Sequence, residues 1–457
     1  MVVLSGGGRC SRVRRPSHTL GPMARLFIQG GRVIDPASGF DQVADVVIRG
    51  DRIAEIGTGL ERAASDRVIE AEGRLVVPGL INPHVHLREP GGEHKETIES
   101  GTRAAVSGGF TTLCCMPNTT PALDTPEMIT FIEGRARSTG HCRVYAVGAG
   151  TKGRRGDEPS EISLLARAGA VGISDDGDAI ESAGVMSRVL RLTRHAGLTF
   201  MQHCQDSSLT AGASMHAGDV AVRLGLSGWP RVAEEVIVER DIRLNAAIGC
   251  AYHVQHLSSA GSVEIVRRAR AAGQPVTAEA SPHHLLLTHE AVAGPDGFGY
   301  DTNAKMNPPL RELSDIVAIK GGIADGTITV LATDHAPHSA EEKARPFEEA
   351  PFGIIGLETA LALYAEALIK PGVIDWPRMI AMMTIEPARL CGLDRLGLGA
   401  IAVGGPADVT VIDTEVEWAV RLEDLAGKSR NTPFLGRRLK GRSVATIAGG
   451  HVRHERR

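Results

Sequence analysis

No apolar run in this 457-residue chain reaches the roughly 18 residues a membrane span needs. No basic patch dominates, and the net charge is -4, so neither a membrane nor nucleic acid is expected as partner. No CxxC pair occurs among seven scattered cysteines, Cys10, Cys114, Cys115, Cys142, Cys204, Cys250 and Cys391. An odd number at such spacing reads as reduced thiols in a cytoplasmic protein rather than a disulfide framework. Low-complexity tracts and solenoid periods are also missing. What is present, 42% hydrophobic and 23% charged residues, is an ordinary soluble globular composition.

Residues 1–22 carry Arg9, Arg12, Arg14 and Arg15 and no acidic residue. They read as a disordered extension, with a transit peptide as the rival, because Met23 opens a clean strand pattern. From Ala24 to Val77, short apolar runs such as Leu26-Phe27-Ile28, Val33-Ile34 and Val46-Val47-Ile48 alternate with Gly30-Gly31, Gly50-Asp51 and Gly57. That is hairpin chemistry. The far end repeats it in Ala407–Ile412 and Val444–Ile447. Neither end has strands enough for its own core. Residues 23–78 plus 396–453 are therefore expected to form one composite β-sandwich domain.

Between them, residues 79–395 alternate strands with helices. Eight strands are predicted at Leu75–His86, Thr111–Met116, Arg143–Gly148, Ala170–Ser174, Leu198–His203, Ala251–His256, Pro275–Ala280 and Ile328–Thr333. Helical spacing occupies Glu96–Val106, Pro126–Arg137, Val185–His195, Val232–Asn245 and Val263–Ala272. The alternation predicts an α/β fold with a parallel sheet. Eight units predict closure into a (β/α)8 TIM-type barrel with its site at the C-terminal strand ends.

Six polar residues sit at those ends: His84, His86, Asp176, His203, His256 and Asp334. Imidazole and carboxylate are the ligands zinc takes in hydrolytic sites. His84 and His86 stand two apart, so on a strand both point one way. Asp175 reads as a loop cap beside Asp176. His253, at an odd offset from His256, is expected to face the other side of its strand. His283-His284 reads as structural support. His18, His94, His141, His195, His216, His289, His451 and His454 read as surface or loop residues. Arg88, Asn118, Asn307 and His338 fall just past strand ends, and that mixture suits a carboxylate and ring amides. Residues 339–350, rich in Glu and Ala, read as a mobile loop on composition alone.

Several strings now stand in one order: His84-Val85-His86-Leu87-Arg88-Glu89-Pro90-Gly91, Met116-Pro117-Asn118-Thr119, Ser174-Asp175-Asp176-Gly177, Lys305-Met306-Asn307-Pro308-Pro309-Leu310-Arg311, Asp334-His335-Ala336-Pro337-His338 and Ala350-Pro351-Phe352-Gly353. From about Met23 to Val452 the chain resembles a class I dihydroorotase of the amidohydrolase superfamily. The resemblance implies two Zn2+ per subunit. One would be held by His84, His86 and Asp334, the other by His203 and His256, with Asp176 bridging. It implies substrate contacts at Arg88, Asn118, Asn307 and His338 and a backbone contact at Phe352-Gly353. It also implies a small-molecule substrate, dihydroorotate or N-carbamoyl-L-aspartate, interconverted in de novo pyrimidine (UMP) biosynthesis with Asp334 as catalytic proton carrier. A homo-oligomer is expected, and association with aspartate transcarbamoylase is allowed.

One departure is Asn82, where the family usually has aspartate. The amide still hydrogen-bonds but carries no charge, and support of the ligands is expected to weaken. Lys152, in Gly150-Thr151-Lys152-Gly153, is the lysine nearest to a bridging role, but flanking glycines read as an exposed turn. Two rival functions share the fold. One is an allantoinase or hydantoinase, disfavoured because Arg88 supplies a cation for a substrate carboxylate. The other is a non-catalytic scaffold, disfavoured because no ligand is missing.

Overall fold

The computed structural model describes residues 25–456. The extension expected over residues 1–22 lies outside the described residues. The eight barrel strands are Leu80–Val85, Phe110–Cys115, Arg143–Ala149, Gly172–Ser174, Phe200–Gln202, Tyr252–Val254, Val276–Ala280 and Val330–Leu331. Each lies parallel to its sequence neighbour, in unbroken order. The first and eighth strand ends meet where the His86 N–H donates to His335 O at 2.9 Å. Val85 and His335 pair there in a parallel bridge, which closes the barrel.

The expected strand Leu75–His86 is two strands, split at Gly79. A Cβ at Gly79 would sit 2.1 Å from Thr111 Oγ1, so only glycine passes the second barrel strand at this point. Leu75–Pro78 joins the terminal sheet instead.

The helices follow the apolar spacing closely, at Ile98–Gly108, Pro126–Thr139, Ala183–Ala196, Val232–Asn245 and Ala260–Ala271. Their starts are written in the sequence. Thr97 and Ser100 form a reciprocal capping box. Thr125 caps a helix with proline in its first turn, and Ser182 and Ser259 cap two more. Gly109 and Gly197 end helices at positive φ. The apolar faces Ile98/Ala105, Ile129/Ile132 and Val185/Val189 pack into one core with the outward-facing strand residues Leu113, Phe200 and Val254.

The second unit joins both termini. Val409–Ala419 pairs antiparallel with Leu75–Pro78, Val411 opposite Val76. The eight-stranded sheet runs from His451–Glu455 through those strands to Arg52–Gly57. That last strand turns back to the C-terminal segment, with Ile53 N–H donating to Gly405 O and Gly404 N–H to Ile53 O. The sandwich-like unit encloses its own core of Ile28, Val46, Ile53, Val76, Val409 and Ile447. Gly30-Gly31 is not the expected turn. Leu26–Asp35 is one strand with a bulge there, and Gly31 lets Val76 approach within 2.4 Å of where a Cβ would stand.

Candidate metal centre and substrate pocket

All six residues expected at the strand ends converge, and all are buried. Asp176 stands at the middle. Its Oδ1 lies 3.4 Å from His84 Nε2, 3.6 Å from His203 Nδ1 and 3.7 Å from His256 Nε2. Its Oδ2 lies 3.4 Å from His86 Nε2. Asp334 Oδ1 lies 3.0 Å from His86 Nε2 and 3.5 Å from His84 Nε2. His203 Nδ1 faces His256 Nε2 at 2.8 Å, while its Nε2 meets Gln205 Oε1 at 3.0 Å.

Within this cluster two triads have ligand atoms close enough to share an ion, His84/Asp176/His256 and His84/His86/Asp334. Most separations around Asp176 are long for a hydrogen bond. They match ligand atoms about 3.3 Å apart at tetrahedral corners around an ion with bonds of roughly 2.0 Å. His84 Nε2 and Asp176 Oδ1 are buried with no hydrogen-bond partner. Orphaned buried polar atoms are costly, and a divalent cation would satisfy both. The donor set therefore fits a binuclear metal centre.

The electrostatics agree. Burial raises the pKa of Asp176 and Asp334, but the facing imidazoles, His84 foremost, outweigh it and hold both carboxyls well below the usual range. Burial opposes charge on His84 too, yet Asp176, Glu279 and Asp334 hold its pKa well above the ordinary histidine value. His203 goes the other way, to about 4, through burial and the neighbouring His256. It is a neutral base already, whereas a metal ion would have to displace a proton from His84.

The backbone is bent to make this set. Arg88, His256 and Asp334 hold φ of 60°, 27° and 47°. Such conformations cost on the order of 1–3 kcal/mol each for non-glycine residues and gather at functional sites. They also explain why strand parity misleads. His253 faces the barrel interior, where its Nε2 meets Glu279 Oε2 at 3.0 Å. The strand stops at Val254, and the kink at His256 swings that ring inward as well.

Above the cluster opens a cavity of about 290 Å³. Arg88, Asn118, Asn307, His338, Phe352 and Gly353 all line it. Arg88 donates through Nε to Pro337 O at 3.2 Å and approaches His338 Nε2 at 3.3 Å. Burial lowers its pKa to about 10, against the pull of Asp334 and Asp176, so the guanidinium stays charged at neutral pH. Burial and Arg88 push His338 down to about 2 and keep it neutral. Asn118 Oδ1 meets His86 Nδ1 at 2.8 Å, and Asn307 Nδ2 donates to Gln205 Oε1 at 3.0 Å. Lys152 is not among the lining residues. It pairs with Glu158 at 2.6 Å, and both are well exposed.

Asp175 braces the loop as a cap, accepting from Gly150 N at 2.8 Å and Thr151 N at 3.0 Å. His284 Nε2 reaches Pro308 O at 3.0 Å, a loop brace. His216 and His289 are not surface residues. Both are buried, with ring centroids 5.3 Å apart. They lie beside Asp219 and Glu312, but Arg231 holds Glu312 at 2.5 Å and Asp315 at 2.7 Å. That is an ion-pair network with its cation already supplied. Segment 339–350 begins with a capped turn, Ala340–Lys343. Lys305 Nζ holds it at Phe347 O (2.6 Å) and Ala350 O (2.7 Å), and Lys343 Nζ ties it to Thr302 O and Pro351 O, both at 2.8 Å.

Sequence reasoning missed Glu279, Gln205, the two lysines' grip and Asn431. Asn431 donates to Ala336 O at 2.9 Å and Gly353 O at 3.0 Å. Glu279 alone carried a signal, a carboxylate inside the apolar run Val276–Ala280.

A (β/α)8 barrel with a histidine–carboxylate cluster at its C-terminal strand ends is the architecture of a metal-dependent enzyme. Comparison with known proteins narrows the class. A family model described as dihydro-orotase-like matches residues 73–262. A dihydroorotase of Pelotomaculum thermopropionicum is 47% identical over 428 residues, 94% of this chain and 98% of the relative. One of Trichlorobacter lovleyi is 45% identical over 427 residues, 93% of this chain and 98% of the relative. The chain belongs to the dihydroorotase family. Among solved structures, an L-hydantoinase from Arthrobacter aurescens superposes with a TM-score of 0.83 at 23% identity, covering 95% of this chain and 96% of that one. A D-hydantoinase from Thermus sp. gives a TM-score of 0.77 at 26% identity, covering 94% and 95%. At such identities the first shows a shared fold alone.

Proposed function

We propose that this chain is a dihydroorotase, interconverting N-carbamoyl-L-aspartate and (S)-dihydroorotate in de novo pyrimidine (UMP) biosynthesis. The observation that carries the reading is Arg88. It is a charged guanidinium in the wall of the cavity above the ligand cluster. A ring bearing a free carboxylate needs such a group, and a plain hydantoin does not.

In this reading His84, His86 and Asp334 hold one Zn2+, His203 and His256 the other, and Asp176 bridges them. Its two oxygens, turned toward all four imidazoles, support the bridging role; Oδ1 faces His84 together with His203 and His256, so His84 stands within reach of both ions. Bound there, the two ions supply Lewis acidity, acidifying water and polarising the scissile carbonyl.

The chain's own residues do the rest. Arg88 and Asn118 hold the free carboxylate, while Asn307, His338 and the backbone of Phe352-Gly353 hold the ring amides, fixing a near-attack pose. In ring opening, water oxygen bonds to the amide carbon and the ring C–N bond breaks. Asp334 accepts the proton released by the water and delivers it to the departing nitrogen. Ring closure runs the same transfers backwards and expels water.

The compartment in this reading is the cytoplasm. Six free, buried cysteines among the described residues suit a reducing setting, and none of the described helices is long and apolar enough to cross a membrane. A homo-oligomer, with an aspartate transcarbamoylase as candidate partner, belongs to the same reading and is tested by sizing with and without that enzyme. The test of function is turnover of dihydroorotate against 5-substituted hydantoins and allantoin. Preference for dihydroorotate by a hundredfold or more in kcat/KM is expected, and equal or reversed preference removes the assignment.

A further inference from the structure

We propose that Glu279 is a positioning residue that braces both halves of the ligand cluster at once. Glu279 lies on the seventh barrel strand and is fully buried. Its Oε1 stands 2.5 Å from His84 Nδ1 and 3.2 Å from the backbone N of His256. Its Oε2 stands 3.0 Å from His253 Nε2, and His253 Nδ1 is in turn 2.8 Å from Thr277 Oγ1. One carboxylate thus touches the ring of His84, which both triads share, and the backbone of His256, a member of one of them.

The chemistry of each contact is fixed by what a carboxylate can do. It only accepts, so His84 Nδ1 carries the proton. A metal ion displacing the other ring proton would then meet the His84 lone pair on Nε2, the atom aimed at Asp176 and Asp334 with no hydrogen-bond partner. Gln255 Nε2 lies farther off, at 3.3 Å, and does not displace that bond. At His256 the same oxygen accepts the N–H of a residue whose φ of 27° takes it off the strand path. A kinked backbone keeps its shape only when its surroundings hold it. Both carboxylate oxygens lie at hydrogen-bond distance from nitrogens, of His84, His256 and His253, a set of partners that suits an acceptor-only group.

The position of this brace accounts for Asn82. A charged residue there is expected to support the histidines, yet Asn82 turns to the eighth strand. It donates to Thr333 Oγ1 at 2.6 Å and accepts from Thr333 N at 3.3 Å. Its contact with His84 is to the backbone N–H, also 3.3 Å. The charged support for the His84 ring comes from Glu279, across the barrel.

The inference rests on His84 and His256 being metal ligands, as proposed above. The experiment is chelator-competition measurement of Zn2+ affinity on wild type, Glu279→Gln, Glu279→Asp and His84→Ala, with kcat and KM for dihydroorotate measured at saturating Zn2+. Outer partners of ligating histidines change affinity by about 10–100-fold. Glu279→Gln is expected to weaken Zn2+ by that factor. Saturating metal should restore much of kcat, with KM within about twofold, since Glu279 does not line the cavity. Glu279→Asp keeps the charge one methylene short and is expected to lose about three- to tenfold; it carries the test alone should the glutamine variant not fold. Unchanged affinity in the Glu279 variants with a large loss in His84→Ala overturns the role of Glu279. Unchanged affinity in His84→Ala as well overturns the ligand reading and this proposal with it.

Discussion

Asp334→Asn exchanges one oxygen for an amide at the residue that faces both His84 and His86. The backbone there has φ of 47°, a region asparagine enters readily, and side-chain volume is conserved. The fold and the cavity should therefore survive. What is lost is the carboxylate 3.0 Å from His86 Nε2 and 3.5 Å from His84 Nε2. An amide oxygen still coordinates weakly, but it cannot accept and return a proton. General acid–base transfer contributes about 10²–10⁴-fold. At about 1.4 kcal/mol per decade this is roughly 3–5 kcal/mol of transition-state stabilisation. Turnover of dihydroorotate in both directions should fall by that factor or more, while metal analysis after gel filtration still finds a substantial part of the wild-type content. KM should change little, because Arg88 and Asn118 are untouched. Turnover within tenfold of wild type at equal metal content would refute Asp334 as the proton carrier.

Three further outcomes follow from the same geometry. Arg88→Lys keeps the charge but loses the fork; KM for dihydroorotate should rise about tenfold or more, with little change for a hydantoin lacking the carboxylate, and equal losses for both would make Arg88 a scaffold residue. Asp176→Ala should lose at least one metal and nearly all turnover, whereas Lys152→Ala should keep both metals and show no dependence on bicarbonate; metal content that follows Lys152 instead would overturn the bridge. Asn82→Asp should leave metal affinity equal or higher, because a carboxylate can accept from Thr333 Oγ1 and both backbone N–H groups that Asn82 now serves; a clear loss of metal would show that the site depends on the amide.

Periodicity made the barrel legible. Five helices appear within a few residues of their apolar spacing, because each must bury one stripe against the strands. His84 and His86 were legible because two residues apart on a strand means one face. That argument fails where the chain leaves strand geometry. His253 was expected on the outer side from its offset to His256, but the kink at His256 lets both rings face inward. Close approach was equally invisible. Nothing in the text around Gly79 says that Thr111 will pass against it. His216 and His289 read as loop residues because the aromatic and ion-pair contacts that bury them come from residues far along the chain. Likewise the grip of Lys305 and Lys343 on segment 339–350 is made with backbone carbonyls, and every sequence offers those alike.

The most direct test removes metal with a chelator, returns Zn2+ stepwise, and follows bound metal per chain together with dihydroorotate turnover. The account predicts turnover that vanishes with the metal, returns as Zn2+ is bound, and reaches its full value at two ions per chain. Turnover that persists without metal, or two bound ions with no action on dihydroorotate in either direction, would contradict it.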